Sequence, residues 1–178
     1  KSTDEGETWK KISPDLTRAE PETMKDSGGP IILDQDGPEI YATIYSIEPS
    51  PHDANTVWVG SDDGLVHLTQ DGGVEWLDVT PGDLPVNSKI SSIEASPHNP
   101  TTAYITAKRY EMGDRSPYIW KTTDNGRTWS KIIAGIREDD FCHSIFEDPL
   151  KDGLLFLGSE HGVYVSFEGG NHWQSFSN

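Results

Sequence analysis

The chain is predicted to be all-β: a β-propeller fragment of about three four-stranded antiparallel blades plus the last strand of a preceding blade. Three observations predict it. One eight-residue turn is spelled four times, at Ser2–Trp9 (STDEGETW), Thr69–Trp76 (TQDGGVEW), Thr122–Trp129 (TTDNGRTW) and Ser166–Trp173 (SFEGGNHW). A second landmark, Ile47-Glu48-Pro49-Ser50-Pro51-His52, recurs as Ile93-Glu94-Ala95-Ser96-Pro97-His98 and, more distantly, as Ile145-Phe146-Glu147-Asp148-Pro149. The runs between landmarks alternate β-branched and aromatic residues, as in Thr56-Val57-Trp58-Val59 and Gly162-Val163-Tyr164-Val165, and no stretch carries a helical period. Repeats of roughly 45 to 50 residues with four short strands, each closed by a Trp, are how a propeller blade reads in sequence.

The repeated turn, called a box below, explains itself residue by residue. An Asp accepts hydrogen bonds from backbone N–H groups just ahead of it, and a Gly supplies the positive φ that reverses the chain. Asp4 with Gly6, Asp71 with Gly73 and Asp124 with Gly126 fill these roles, and Trp9, Trp76, Trp129 and Trp173 bring a large ring to bury between neighbouring sheets. The fourth copy carries Glu168 for the Asp, ahead of Gly170, and His172 for the Thr, so its turn is expected to be the least faithful.

Within each unit the strands are designated A to D. The first full unit places A near 40–48, B at 55–60, C at 64–69 and D at 75–79; the second, 90–95, 102–107, 117–122 and 129–133; the third, 142–147, 154–158, 162–167 and 173–177. The expected organisation is the end of a blade at 1–16, an inserted crossing at 17–39, and blades at 40–80, 90–133 and 141–178. Three blades do not close a ring of about 4–8, so the remaining blades of a longer parent chain are the expected partners, and a secretory signal peptide is expected ahead of Lys1.

The boxes resemble the Asp-box, or bacterial neuraminidase repeat (BNR), of sialidases, some glucanases and sortilin-type receptor domains, in which the box is structural. Segments such as Ser13-Pro14-Asp15-Leu16-Thr17, Gly60-Ser61-Asp62-Asp63-Gly64-Leu65-Val66-His67 and Tyr118-Ile119-Trp120-Lys121-Thr122-Thr123-Asp124 extend the likeness to the sortilin-like (VPS10-type) propellers of large secreted bacterial proteins, often labelled glycosyl hydrolase. That resemblance implies an extracellular or periplasmic binding propeller. The Phe/Tyr-Arg-Ile-Pro motif of sialidases does not occur, and none of the five arginines stands in its context.

Composition narrows the partners. Fourteen basic against thirty acidic residues give a formal charge of −16, which repels nucleic acid and anionic membranes. The single cysteine, Cys142, forms no intrachain disulfide and reads as a small core residue. No cofactor is called for and no metal site is assigned. His52 and His98 read as turn residues, and Asp34-x-Asp36-Gly37 is an incomplete calcium loop without its third aspartate and closing glutamate.

Topology then directs attention to one face. In a four-stranded meander the A–B turns and the boxes share a face, while the B–C turns and D-to-A crossings share the other. From box Trp to the next A-strand Ile the chain takes 17 residues after Trp76 and 16 after Trp129, but 38 after Trp9. From the end of strand B to the box Trp it takes 16 residues from Gly60 and 15 from Gly158, but 23 from Thr106. Both insertions, the crossing and the B–C turn Lys108–Pro117, fall on the crossing face, where loops on a rigid scaffold carry function. The candidate ligand-binding residues there are Asp62, Asp63, Arg109, Glu111, Asp114, Arg115, Arg137, Asp139, Asp140, Glu160 and His161; no catalytic residue is assigned. Two functions are expected to compete: a scaffold binding a protein, peptide or glycan, and a glycoside hydrolase whose paired carboxylates are completed by blades outside this chain.

Overall fold

The computed structural model describes residues 1–28, 33–34 and 41–176. Asp36 and Gly37 of the incomplete calcium loop lie outside these. The described residues contain no α-helix and form three four-stranded antiparallel sheets. The first blade is β3 (Ile44–Pro49), β4 (Val57–Ser61), β5 (Val66–Thr69) and β6 (Leu77–Asp78); the second is β7 (Lys89–Ala95), β8 (Ala103–Arg109), β9 (Asp114–Thr122) and β10 (Ser130–Lys131); the third is β11 (Cys142–Glu147), β12 (Leu155–Ser159), β13 (Val163–Ser166) and β14 (Gln174–Ser175). Each is a plain meander in which sequence neighbours pair. Two short strands, β1 (Ser27–Gly28) and β2 (Leu33–Asp34), pair within the first crossing.

The inner strands β3, β7 and β11 lie side by side, so the blades fan from a common inner edge, and the seams between them are the core. Period-2 alternation sends Ile105 and Trp120 into the first seam, against Trp58 and Leu68, and sends Tyr104 and Ile119 into the second, against Ile145, Leu157 and Trp173. The middle blade is therefore buried on both faces. The flanks show the contrast: Ile90 and Ile93 are 0% and 5% exposed, whereas Ile44 and Ile47, at the same positions of the first blade, are 40% and 63% exposed.

One rule joins successive blades. The indole Nε1 of Trp76 donates to the carbonyl of Ile12 at 2.9 Å, that of Trp129 to Val79 at 2.7 Å, and that of Trp173 to Ile132 at 2.8 Å. Each acceptor stands three residues after the preceding box Trp, so Ile12 occupies the place of a last strand in a preceding blade. The box glycine completes the contact: a Cβ on Gly126, whose φ is +78°, would fall 2.7 Å from the Cβ of Val79. Trp9 lacks such a neighbour, is 76% exposed, and turns its indole onto its own Gly6 carbonyl at 3.1 Å.

The predicted strands agree with the observed ones to within a few residues, with one correction. Lys108–Pro117 is not a loop inserted between strands. Arg109 pairs with Asp114, so β8 and β9 extend into a longer hairpin closed by a single 3-10 turn at Tyr110–Met112. The arginine–aspartate contact at 2.8 Å holds that extension in register.

Candidate functional site

The two faces are set apart by their hydrogen bonds. On one, the boxes dock on the A–B turns: the N–H groups of Gly72, Asn125 and Gly169 donate to the carbonyls of Asn55, Thr101 and Gly153 at 2.9, 3.0 and 2.9 Å. The turn histidines bridge blades there, His52 Nε2 donating to the Ser96 carbonyl at 3.0 Å and His98 Nε2 to that of Asp148 at 2.7 Å. Within the boxes, Asp124 Oδ1 accepts from the Thr128 N–H at 2.9 Å and from the Thr122 hydroxyl at 2.8 Å. Thr128 chiefly, and Thr8 in the first box, hold the Asp124 and Asp4 carboxyls down at about 2. Asp71 accepts the N–H groups of Val74 and Glu75 and is likewise lowered. In the fourth box the Ser166 hydroxyl still accepts the Gly170 N–H at 3.0 Å, but the Glu168 carboxylate accepts none of the turn's N–H groups; only its backbone carbonyl takes the Asn171 N–H, at 3.3 Å.

Six of the eleven candidate residues line two clefts, while Asp63, Asp114, Arg115, Asp139 and Glu160 line neither. The first cleft, of about 260 Å³, opens between the first and second blades and is lined by Thr23, Tyr41, Asp62, Asn87, Lys89, Lys108, Arg109, Glu111 and Met112. The second, of about 270 Å³, lies on the third blade and gathers Arg137, Asp140 and His161 beside Tyr164.

Most carboxylates around these clefts are already filled. Asp62 is 6% exposed and accepts the Thr43 N–H at 2.8 Å and its hydroxyl at 3.1 Å. Asp63 is 2% exposed; its Oδ2 accepts the N–H groups of Arg18 and Ala19 at 2.7 and 3.2 Å, and its Oδ1 the Ser61 hydroxyl at 2.6 Å. Asp63 thus fastens the inserted crossing to the turn between β4 and β5, and Asp62 fastens the segment leading into β3. Asp114 takes the Ser116 N–H, the Tyr118 hydroxyl and the Arg109 guanidinium; burial alone would raise its carboxyl, but these donors outweigh it and bring it down to about 2. Asp140 follows the same logic: burial pushes it up, and His161, Tyr164 and Ser159 more than compensate, leaving it lowered. Glu111 is lowered chiefly by the Lys89 ammonium at 2.9 Å. Arg137 and Asp139 form a bidentate surface pair, at 3.1 and 2.9 Å, and Glu160 meets His143 at 3.1 Å. Arg115 is exposed and makes no ion pair among the described residues.

The residues that sequence reasoning missed are aromatic and cationic. Lys108 Nζ lies 5.6 Å from the ring centres of both Tyr45 and Tyr110, and Lys89 Nζ lies 5.2 Å from Tyr45. Tyr110 stacks on Phe141 at 5.0 Å, which in turn meets His143 edge-on at 5.1 Å. Tyr45, Ser91 and His143 are the bulged residues of β3, β7 and β11, at the same step of each inner strand. A bulge re-aims its side chain, and the only sequence trace of it here was a break in alternation at three matching positions. Positive φ occurs at Asn87, 58°, which lines the first cleft, at Ala42, 61°, next to its lining residue Tyr41, and at Ala19, 45°, whose N–H binds Asp63, while Glu5 and Asn125, the other non-glycine residues of positive φ among those described, sit in boxes.

These features match known proteins in part of their length. The vacuolar protein sorting/targeting protein 10 of Talaromyces stipitatus is 30% identical over 153 residues, which cover 79% of this chain and 9% of that protein. The chain is a VPS10-like β-propeller fragment. The protein of the same name from Talaromyces marneffei is 27% identical over 115 residues, covering 62% of the VPS10-like chain and 7% of its own length. No family model matches. Among solved structures, an ancestral GH74 enzyme superposes with a TM-score of 0.62 at 21% identity, over 78% of this chain and 19% of its own. YCF48 bound to D1 peptide superposes with a TM-score of 0.58 at 21% identity, over 75% and 40%. At these identities the structures share the fold with the VPS10-like chain, which spans well under half of each.

Proposed function

We propose that this fragment is part of a secreted binding scaffold, extracellular or periplasmic, that holds a protein, peptide or glycan at its crossing face. In this reading residues 1–16 end one blade, 17–39 form an inserted crossing, and 40–80, 90–133 and 141–178 are three blades of a ring completed by the rest of a longer chain. The carrying observation is Lys108, an ammonium set between two tyrosine rings at the first cleft, close enough to help lower the Glu111 carboxyl but in no direct ion pair among the described residues. In a chain of formal charge −16, a cation held against aromatic rings in a cleft favours a ligand with acceptor groups. Beside it the Tyr110 ring is fixed by stacking on Phe141, and Asn87 and Ala42 hold positive φ at the cleft, so the cleft is shaped before a ligand arrives.

The alternative, a glycoside hydrolase completed by other blades, asks for a carboxyl kept protonated near neutrality as general acid. The carboxyls of Glu111, Asp114 and Asp140 are shifted the opposite way. That the proteins similar in sequence are named for sorting, and that YCF48 was solved with a peptide, supports the binding reading.

Peptide and glycan arrays probed with the wild-type chain and with Lys108→Ala test it. Saturable binding that weakens at least tenfold in the variant, without release of sugar from polysaccharides, is the expected result. Sugar release that disappears on Asp62→Ala or Asp63→Ala would instead establish the hydrolase.

A further inference from the structure

At the box-face end of the second seam, two glutamates meet across neighbouring blades. Glu94 stands one residue before the end of β7 and its Oε1 accepts the backbone N–H of Glu147, the last residue of β11, at 3.0 Å. Glu147 is 1% exposed; its Oε1 accepts the Gly153 N–H at 3.0 Å and the Tyr104 hydroxyl at 3.4 Å, while its Oε2 is buried with no donor at all. A buried carboxylate oxygen without a donor is costly, and a second carboxylate nearby makes it more so. Among the described residues no cation forms an ion pair with either glutamate. Lys121 on β9 lies over the Tyr104 ring at 5.4 Å and donates to the Gly169 carbonyl, and no group of three or more potential metal ligands exists among the described residues.

We propose that Glu94, set across the seam from the buried Glu147, takes up a proton that tightens the seam between the second and third blades in mild acid and loosens it when the proton leaves. A carboxylate confined beside a second carboxylate ionises less freely. Burial pushes the Glu94 carboxyl up; the Glu147 N–H opposes this, the charges of Glu48 and Glu147 add to it, and the result is about 7. The other groups facing the pair are Glu48 from β3, Tyr104 from β8 and Asp152 from the turn after β11; Tyr104 is held protonated, its hydroxyl pushed well above its usual range by burial and by Glu147. His98 Nε2 donates to the neighbouring Asp148 carbonyl at 2.7 Å and supplies a control substitution at this seam. The first seam is an internal comparison, because Glu48 occupies the position of Glu94 there and is raised by burial alone.

A folded-state value above the unfolded one gives stability that is complete below about 4.5 and is lost as pH rises through about 7. The test is thermal unfolding of the 178-residue chain from pH 5 to 8.5, for the wild type, Glu94→Gln and His98→Ala, with a carbon-13 titration of the wild-type glutamate carboxyls alongside. The wild type and His98→Ala are expected to lose thermal stability as pH passes through about 7, whereas Glu94→Gln, which keeps the acceptor for the Glu147 N–H, has a flat profile over that window. Retention of the wild-type slope by Glu94→Gln, or a flat profile in His98→Ala, overturns the proposal. Should Glu94→Gln fail to fold, the carbon-13 titration decides: a Glu94 midpoint near neutrality supports the proposal, and an ordinary midpoint removes it.

Discussion

Trp173 donates its indole N–H to the carbonyl of Ile132, 41 residues earlier, at 2.8 Å and at 1% exposure. The same bond recurs at each older seam, so the tryptophan of one blade is the clamp on the last strand of the blade before it. Trp173→Ala is expected to cost about 3–5 kcal/mol through the lost ring and the cavity it leaves. Trp9→Ala, at a residue 76% exposed, is expected to cost under about 1 kcal/mol. Urea unfolding of the two variants in the same chain measures both.

The box aspartates fix the acid limit of the fold. Asp4 and Asp124 titrate at about 2 against an ordinary 3.8, so their contribution is present above about 3.8 and is lost as pH falls through about 2. Asp124→Asn is expected to lower the melting temperature at pH 6 and to lessen the fall between pH 4 and pH 2, read by circular dichroism. Glu168→Gln, at the box where the acid takes none of the turn's N–H groups, is expected to change neither.

Asp63 joins the inserted crossing to the first blade through the N–H groups of Arg18 and Ala19. Asp63→Ala leaves buried donors unsatisfied, a loss of about 1–3 kcal/mol, and frees residues 13–26. Limited proteolysis is expected to cut the variant first in that stretch, while the wild type resists there.

Cys142 is fully buried, and burial, with Asp140 nearby, pushes its thiol up to about 12. Because only the thiolate reacts, labelling by an aromatic disulfide reagent is expected to be slow in the folded chain and to accelerate at least a hundredfold in denaturant. Rapid labelling of the native chain would show that the second seam opens.

Ala42 carries a φ of 61°, a conformation that a Cβ disfavours. Ala42→Gly is expected to relieve that strain at a gain of under about 1 kcal/mol, set against greater freedom in the unfolded chain. Weaker ligand binding despite equal or greater stability is the expected outcome in a paired unfolding and binding measurement, because the cleft loses its preformed shape.

The blade repeat, the box chemistry, the strand positions and the face bearing the insertions were legible in the sequence. Each rests on local physics: turn residues, side-chain alternation and hairpin connection act within a few residues of one another and leave a periodic trace. Only the tertiary structure decided which candidates meet. Asp62, Arg109 and Glu111 share one cleft and Arg137, Asp140 and His161 another, because the fan of the blades and the path of the crossing set those distances. It also turned Lys108–Pro117 from a loop into a hairpin and swung Tyr45 and His143 through bulges onto the crossing face. Such contacts join residues far apart in the chain, and no repeat period encodes them.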